Sequence, residues 1–297
     1  MKKVFVVLFI LSINLQLVYA QGCSDAGICS IGNTLENKKE FKNFVEIGTI
    51  FGAGEADITY ISPYISYTRT FSEKFSLSTK ITYSQSEGSF GSIAAFGDGF
   101  IVGNYNFKST KISKLSALAG VKFPFNNGDL KINNGIVPLD YQSSLGTVDL
   151  IFGANLNYKN WDFNTGFQIP VINNNKNTYF SAFSNTNDFP STNLFNRKSD
   201  FLFRTTYTFK QNKFTFKPNV LFLYHLGEDS YVTILNNRVN ISGSDGLTVN
   251  GNIISSYAIN NRNSIELSLA TPFVIRDIRP DGLTREFTAG IIYKVLF

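Results

Sequence analysis

The 297-residue chain has one histidine, one methionine, one tryptophan and two cysteines, and neither cysteine lies beyond position 29. A centre built from several His or Cys ligands has too few residues to draw on. Serine–histidine–acid catalysis would depend on His225 alone, and no other nucleophile and base stand together, so the chain reads as a non-enzyme. No run of about 20 apolar residues occurs, which excludes a bundle of membrane-spanning helices. Charged residues make up 16% of the chain, against roughly 25% in soluble domains. Lys and Arg form no cluster, and nothing points to a nucleic-acid partner. Gly52-Ala53-Gly54 and Gly97-Asp98-Gly99 precede strand-like rather than helix-like sequence, so they read as turns and not as phosphate cradles; no cofactor motif appears elsewhere. What is abundant is Phe (29) and Tyr (14), alongside Asn, Ser, Thr and Gly. That mixture suits sheet with one greasy and one polar face.

The first twenty residues have the form of an export signal: Lys2 and Lys3, an apolar stretch from Val4 to Leu11, and Val18-Tyr19-Ala20 before the cleavage point. Removal of Lys2 and Lys3 leaves 25 basic against 22 acidic residues, a net charge of +3. Residues 21–43 then form a leader, either solvated in the periplasm or folded into a barrel as a plug, and 44–297 form the main domain. An exported chain meets an oxidising compartment, which favours a local Cys23–Cys29 disulfide. A metal clip on the same pair lacks further ligands nearby. Lipidation of Cys23, which follows Gly22, would call for an aliphatic residue where Ala20 stands.

From there to the end, apolar residues recur at every second position. Trp161, Phe163, Thr165, Phe167, Ile169 and Val171 share one face, opposite Asp162, Asn164, Gly166 and Gln168. Phe214, Phe216, Pro218, Val220, Phe222 and Tyr224 oppose Thr215, Lys217, Asn219 and His225. These stretches exceed the five or six residues usual for soluble strands and match the roughly 9–11 that a tilted strand needs to cross lipid. Twelve strands follow, over 44–52, 57–69, 74–85, 98–108, 113–124, 147–158, 161–172, 200–210, 213–225, 247–259, 263–275 and 283–297. Short links alternate with long ones at 86–97, 125–146, 173–198 and 227–246. The predicted fold is an all-β, transmembrane, antiparallel up-and-down β-barrel in the outer membrane, with short periplasmic turns and long external loops. The strand-like stretch 229–241 is expected as a hairpin in an external loop; counting it as spanning would lead to fourteen strands. Phe71 and Phe75, Tyr105 and Phe107, Tyr158 and Trp161, and Phe209 and Phe214 flank the short turns as an interfacial aromatic girdle.

The alternation turns Lys80, Lys122, Asp149, Asp162, Arg204, Lys217, Glu266 and Lys294 toward the lumen. Facing lipid at mid-depth, a Lys or Arg would cost about 2–4 kcal/mol. Inside, these groups form an ion-pair ladder, set pore selectivity, or both. Basic members outnumber acidic ones five to three, a hint of anion preference.

Three stretches resemble the outer-membrane barrels of the MetA pathway of phenol degradation: Gly97-Asp98 with Ile101, Gly103, Tyr105 and Phe107; Gly120-Val121-Lys122-Phe123-Pro124; and Val137-Pro138-Leu139 followed by Gly146-Thr147-Val148-Asp149. Ala95, Asn104 and Phe125-Asn126 depart from that pattern, and the match is confined to about 95–170. The resemblance implies a barrel with a transport role and transfers no catalytic residues.

The expected partners are therefore outer-membrane lipid and a small-molecule solute, hydrophobic or aromatic in character, passing through a narrow lumen. The competing expectation is a non-conducting barrel that binds a partner through loop 173–198, whose Tyr179, Phe180, Phe183, Phe189 and Phe195 would be costly to leave in water. Intact-mass measurement of the mature protein is expected to show a chain beginning at Gln21 and short of two hydrogens until reduced; an acyl mass on Cys23 would replace the disulfide with lipidation.

Overall fold

The computed structural model of the chain describes residues 41–54, 56–107, 109–110, 112–184, 186–281 and 285–297. Cys23, Cys29, the signal and nearly all of the 21–43 leader lie outside the described residues.

Twelve long strands make up the barrel: β1 (Asn43–Gly54), β2 (Thr59–Thr70), β3 (Phe75–Gly88), β4 (Gly91–Asn106), β5 (Ser113–Pro124), β6 (Thr147–Tyr158), β7 (Trp161–Asn173), β8 (Asp200–Tyr207), β9 (Phe214–His225), β10 (Gly246–Ala258), β11 (Asn263–Val274) and β12 (Arg285–Leu296). Each pairs antiparallel with its sequence neighbours, and β1 pairs with β12 from Phe44↔Leu296 to Gly52↔Thr288, so the sheet closes on itself. Within the same sheet one further short strand, Phe209–Gln211, carries the pairing of β9 past the rim, and among the described residues the external loops add two small hairpins, one of them Lys131–Ile132 against Gly135–Ile136. The twelve-strand expectation holds, and 229–241 forms an external hairpin, Ser230–Val232 against Arg238–Asn240. The described residues contain only two helical turns, Leu139–Tyr141 and Ser181–Phe183.

Side chains sort as the period-2 pattern dictates. Ile47, Phe51, Ile65, Ile101, Phe152, Phe167, Phe222, Ile253, Leu267 and Ile291 stand exposed on the outer wall, while Ser66, Thr68, Ser76, Asn104, Gln168 and Asn219 are buried within. Among the described residues the outer apolar side chains meet no second layer of sheet; lipid is the medium that fits them. At the periplasmic end, Phe71 stacks on Phe75, and Trp161, Tyr207 and Phe209 contact edge-on or tilted, with centroids 4.8 and 4.5 Å apart.

Two sequence-based expectations need correction. The segment 86–97 is not a long loop. Strands β3 and β4 continue through it and turn at Ser89 and Phe90, pairing as far as Gly88↔Gly91. Nor are the two Gly-rich stretches turns, for both lie inside strands. Their glycines make room for neighbouring rings: a Cβ on Gly52 would overlap Tyr60, and one on Gly48 would sit 2.8 Å from the Tyr64 ring. Phe123 covers Gly99 in the same way on the outside.

Four register irregularities mark the external end, one of them at Ala53/Gly54 in the β1–β12 pairing. Ile81 pairs with Gly99 but Tyr83 with Phe96, so Gly97 and Asp98 together oppose Thr82. The register also slips opposite Val148/Asp149, beside Pro170, and opposite Val249/Asn250, beside Pro272. Proline, which cannot donate to the ladder, is tolerated at such irregularities.

The external loops pack on one another. Ile58, Val137, Tyr141, Tyr179 and Phe189 form one buried cluster, and Leu139, Leu145, Phe195 and Ile241 another. The Asn-rich run in 173–177 holds this cap together: the Asn173, Asn175 and Asn177 side-chain oxygens each accept the backbone N–H two residues on. Asn175 and Asn177 then donate to Leu145 and Gly128 carbonyls in the neighbouring loop. Tyr179, Phe189 and Phe195 are thus buried within the cap, and of the five loop aromatics only Phe183 is fully exposed.

Substituting Phe152→Arg on the lipid face is expected to cost about 2–4 kcal/mol of folding free energy, measured by urea titration of folding into lipid vesicles. An unchanged midpoint would mean that this face does not meet hydrocarbon.

Candidate functional site

The inner wall has three zones along the axis. At the external mouth, one residue from each of six consecutive strands turns inward: Asp98 (β4), Lys122 (β5), Asp149 (β6), Gln168 (β7), Asp200 (β8) and His225 (β9). Lys122 and Asp149 have no exposed surface and pair at 3.0 Å, with Thr147 Oγ1 accepting from Lys122 and Gln168 donating to Asp149 at 2.6 Å. The bulge at Gly97-Asp98 aims Asp98 at this group. Thr82 Oγ1 accepts the Asp98 N–H, Ser144 donates to its carboxylate at 2.6 Å, and Lys122 lies 4.0 Å away.

Three external loops turn charges down onto the same ring. Arg197 pairs with Asp200 at 2.5 Å and lies 3.9 Å from both Asp149 and Asp281. Arg276 binds Asp281 at 2.5 Å and donates to the Ser244 carbonyl at 2.6 Å. His225 is held at both ring nitrogens, Nδ1 on Asp200 at 2.6 Å and Nε2 on Asp229 at 2.8 Å. The ring therefore joins a wall residue to a loop residue. Burying charge is tolerable only when it is paired and hydrogen-bonded; here Arg197 and Asp229 find partners on the wall, while Arg276 and Asp281 pair within one loop and approach Asp229 and Arg197 of the other two. Burial raises the Asp281 carboxyl, but Arg276, then Arg197 and His225, outweigh it and hold the group down at about 2.

Below this ring, Phe100, Ile151, Leu202 and Leu221 meet in an apolar waist, flanked by Leu118 and Leu223. The periplasmic half is polar. There Lys294 sits between Glu46 at 3.1 Å and Glu266 at 3.2 Å, and Ser256 donates to Glu266 at 3.0 Å. Lys80 lies over the Tyr64 ring, 4.2 Å from its centroid. Arg204 and Asn164 are buried side by side on β8 and β7.

All eight ionisable residues read from the sequence as lumen-facing lie on the inner wall, but they do not form one site. Lys122 and Asp149 join the mouth, Glu266 and Lys294 the lower triad, and Asp162 accepts from Asn157 at 2.8 Å. Lys80, Arg204 and Lys217 are distributed over other strands. Sequence reasoning missed Glu46, although it alternates with Val45 and Ile47. It also missed Asp98 and Asp200, which start or interrupt strands, and the loop residues Arg197, Asp229, Arg276 and Asp281, for which periodicity carries no signal. No described group of three or more His, Asp or Glu residues is disposed to hold a metal.

The fold is similar to that of a solved outer membrane channel from Pseudomonas putida F1, with a TM-score of 0.58 at 11% identity over 86% of this chain and 96% of that one. The NanC porin aligns with a TM-score of 0.49 at 9% identity, over 85% of this chain and 99% of that one. The CymD monoaromatic hydrocarbon channel aligns at 0.43 and 9%, over 94% of each chain. At such identities the likeness is one of fold, that of an outer-membrane β-barrel. Neither a family model nor a curated protein matches the sequence.

Removing one partner of a buried pair costs about 3–5 kcal/mol, so Arg276→Gln or Asp281→Asn is expected to release loop 275–281, read as faster hydrogen exchange at its amides. The folded Asp281 carboxyl titrates at about 2, below the roughly 3.9 of an unfolded Asp. Its contribution is therefore complete above about pH 4 and is lost as the pH falls through about 2. Exchange protection of the loop in wild type should persist at pH 4; loss of protection by pH 4 would contradict this account.

Proposed function

We propose that the protein is a passive outer-membrane channel for small solutes whose passage is closed at the external mouth by its own loops. The observation that carries this reading is the placement of the closure. At the mouth, loop residues Arg197 and Asp229 pair with the wall at Asp200 and His225, and Arg276 and Asp281 pair with each other and lie 3.9 Å from Asp229 and Arg197, with no strand crossing the lumen there among the described residues. Loops held this way can lift without disturbing the twelve-strand ladder, because the wall keeps its backbone hydrogen bonds in either state. The polar periplasmic half and the inward Lys80, Lys217 and Lys294 give a solute a wetted, charged approach from the other side.

The apolar waist of Phe100, Ile151, Leu202 and Leu221 supports a solute with a hydrophobic or aromatic part, since a purely hydrophilic one would meet four large apolar side chains with nothing to bond. The resemblance of residues 95–170 to MetA-pathway barrels agrees with that class. The cap of external loops buries Tyr179 and Phe189 against Ile58, Val137 and Tyr141, and Phe195 against Leu139, Leu145 and Ile241, which leaves Phe183 as the exposed aromatic of 173–198 for a binding partner.

In planar bilayers, wild type is expected to give a small, intermittent conductance, and Asp281→Asn or Arg276→Gln a severalfold larger open fraction. A bilayer that stays silent with wild type and both variants would overturn the channel reading.

A further inference from the structure

Among the described residues Arg204 has no hydrogen-bond or ion-pair partner. Its side chain is 6% exposed and points into the lumen, on the same face as Leu202 and Thr206. A guanidinium taken out of water without an opposite charge is among the costliest arrangements a protein can hold, and every other buried cation whose contacts are described here, Lys122, Arg197 and Arg276, has a carboxylate, as has the half-buried Lys294. The groups around Arg204 are unsatisfied in the same sense. Asn164, its register partner on β7, has a buried Nδ2 with no acceptor. Asn250, on β10 across Leu221, has a buried Oδ1 with no donor, and a primary amide can present either end. Leu202 stands directly toward the mouth and Leu221 beside Arg204 as its register partner on β9, together the near edge of the apolar waist.

We infer that Arg204 and Asn164 form a binding site for the carboxylate of a small amphipathic anion, whose apolar body lies against Leu202, Leu221, Ile151 and Phe100. A guanidinium offers a planar fork that matches a carboxylate bidentately, and the Asn164 amide supplies a third donor from the adjacent strand. The apolar shelf beside it selects for a hydrophobic or aromatic substituent over a bare anion. The inference rests on the channel reading, of which it names the solute class: aromatic or short aliphatic monocarboxylates. Since each bond is made by a wall residue rather than by a loop, the site persists whether the mouth is shut or lifted.

The probe is benzoate, titrated into the detergent-solubilised full-length protein by calorimetry and in parallel into the bilayer assay. Wild type is expected to bind benzoate and to show benzoate-dependent block of conductance. Acetate, without the ring, and benzamide, without the charge, should each bind at least tenfold more weakly. Arg204→Met should weaken benzoate roughly ten- to hundredfold, and Arg204→Lys, which keeps the charge but not the fork, should fall between. Because Arg204→Met removes an unpaired buried charge, the variant is expected to retain the folded, heat-modifiable mobility of wild type on gels. If it does not fold, the benzoate–benzamide comparison on wild type decides alone. Benzamide binding as tightly as benzoate, or benzoate binding undiminished in a folded Arg204→Met, would sink the inference. Conductance without benzoate binding overturns the site and leaves the channel standing; Arg204-dependent binding in a silent bilayer does the reverse.

Discussion

A strand that enters hydrocarbon must find partners for all its backbone N–H and C=O groups within the protein, because the bilayer core has none to give. That requirement governs the rest of the molecule. It forces the first strand onto the last, Phe44 opposite Leu296 and Gly52 opposite Thr288. It also fixes the alternation that places Phe, Ile and Leu outside and hydroxyls, amides and charges within. Once the wall is closed, the inner side chains must deal with one another in a confined space. The glycines at 48 and 52, lying beneath Tyr64 and Tyr60, are part of that accommodation.

Charge is handled differently at the two ends. In the periplasmic half the Lys294 triad is assembled entirely from wall residues on β1, β11 and β12, so it is as permanent as the barrel. At the external mouth wall pairs such as Lys122–Asp149 are joined by pairs from the loops, Arg197 on Asp200 and Asp229 on His225, which depend on where the loops lie. The same physical interaction thus ties wall to wall in one place and loop to wall in the other. The bulges at Gly97-Asp98, beside Pro170 and beside Pro272 lie toward that external end, where they adjust the aim of side chains at small cost to the ladder.

How far the sequence reveals this depends on whether a residue is repeated or unique in its setting. Strands such as 113–124 and 147–158 are legible to the residue, because lipid on one side and lumen on the other impose the same alternation over twelve positions. The β3–β4 hairpin is misread because it continues beyond the membrane: with lipid no longer enforcing one greasy face, Ser86, Gly88, Gly91 and Ser92 look like a loop while still pairing. The mouth is the least legible part. Lys122 and Asp149 stand out on a strand, but Arg197, Asp229, Arg276 and Asp281 reach them from three separate loops, and no local pattern records a contact made across the top of a barrel. The aromatics of 173–198 mislead for the same reason: their partners are Ile58, Val137 and Tyr141, distant in sequence.

Lys294 illustrates a further demand on the closing step. Strands in a barrel can in principle pair one residue out of step, and such a slip would exchange inside for outside along the whole final strand. The ammonium of Lys294 would then lie in hydrocarbon, while Glu46 and Glu266 would face each other with nothing between them. Correct alignment is thereby distinguished from its nearest errors by a large electrostatic gap at the seam, an internal proofreading of the join made when the last strand meets the first.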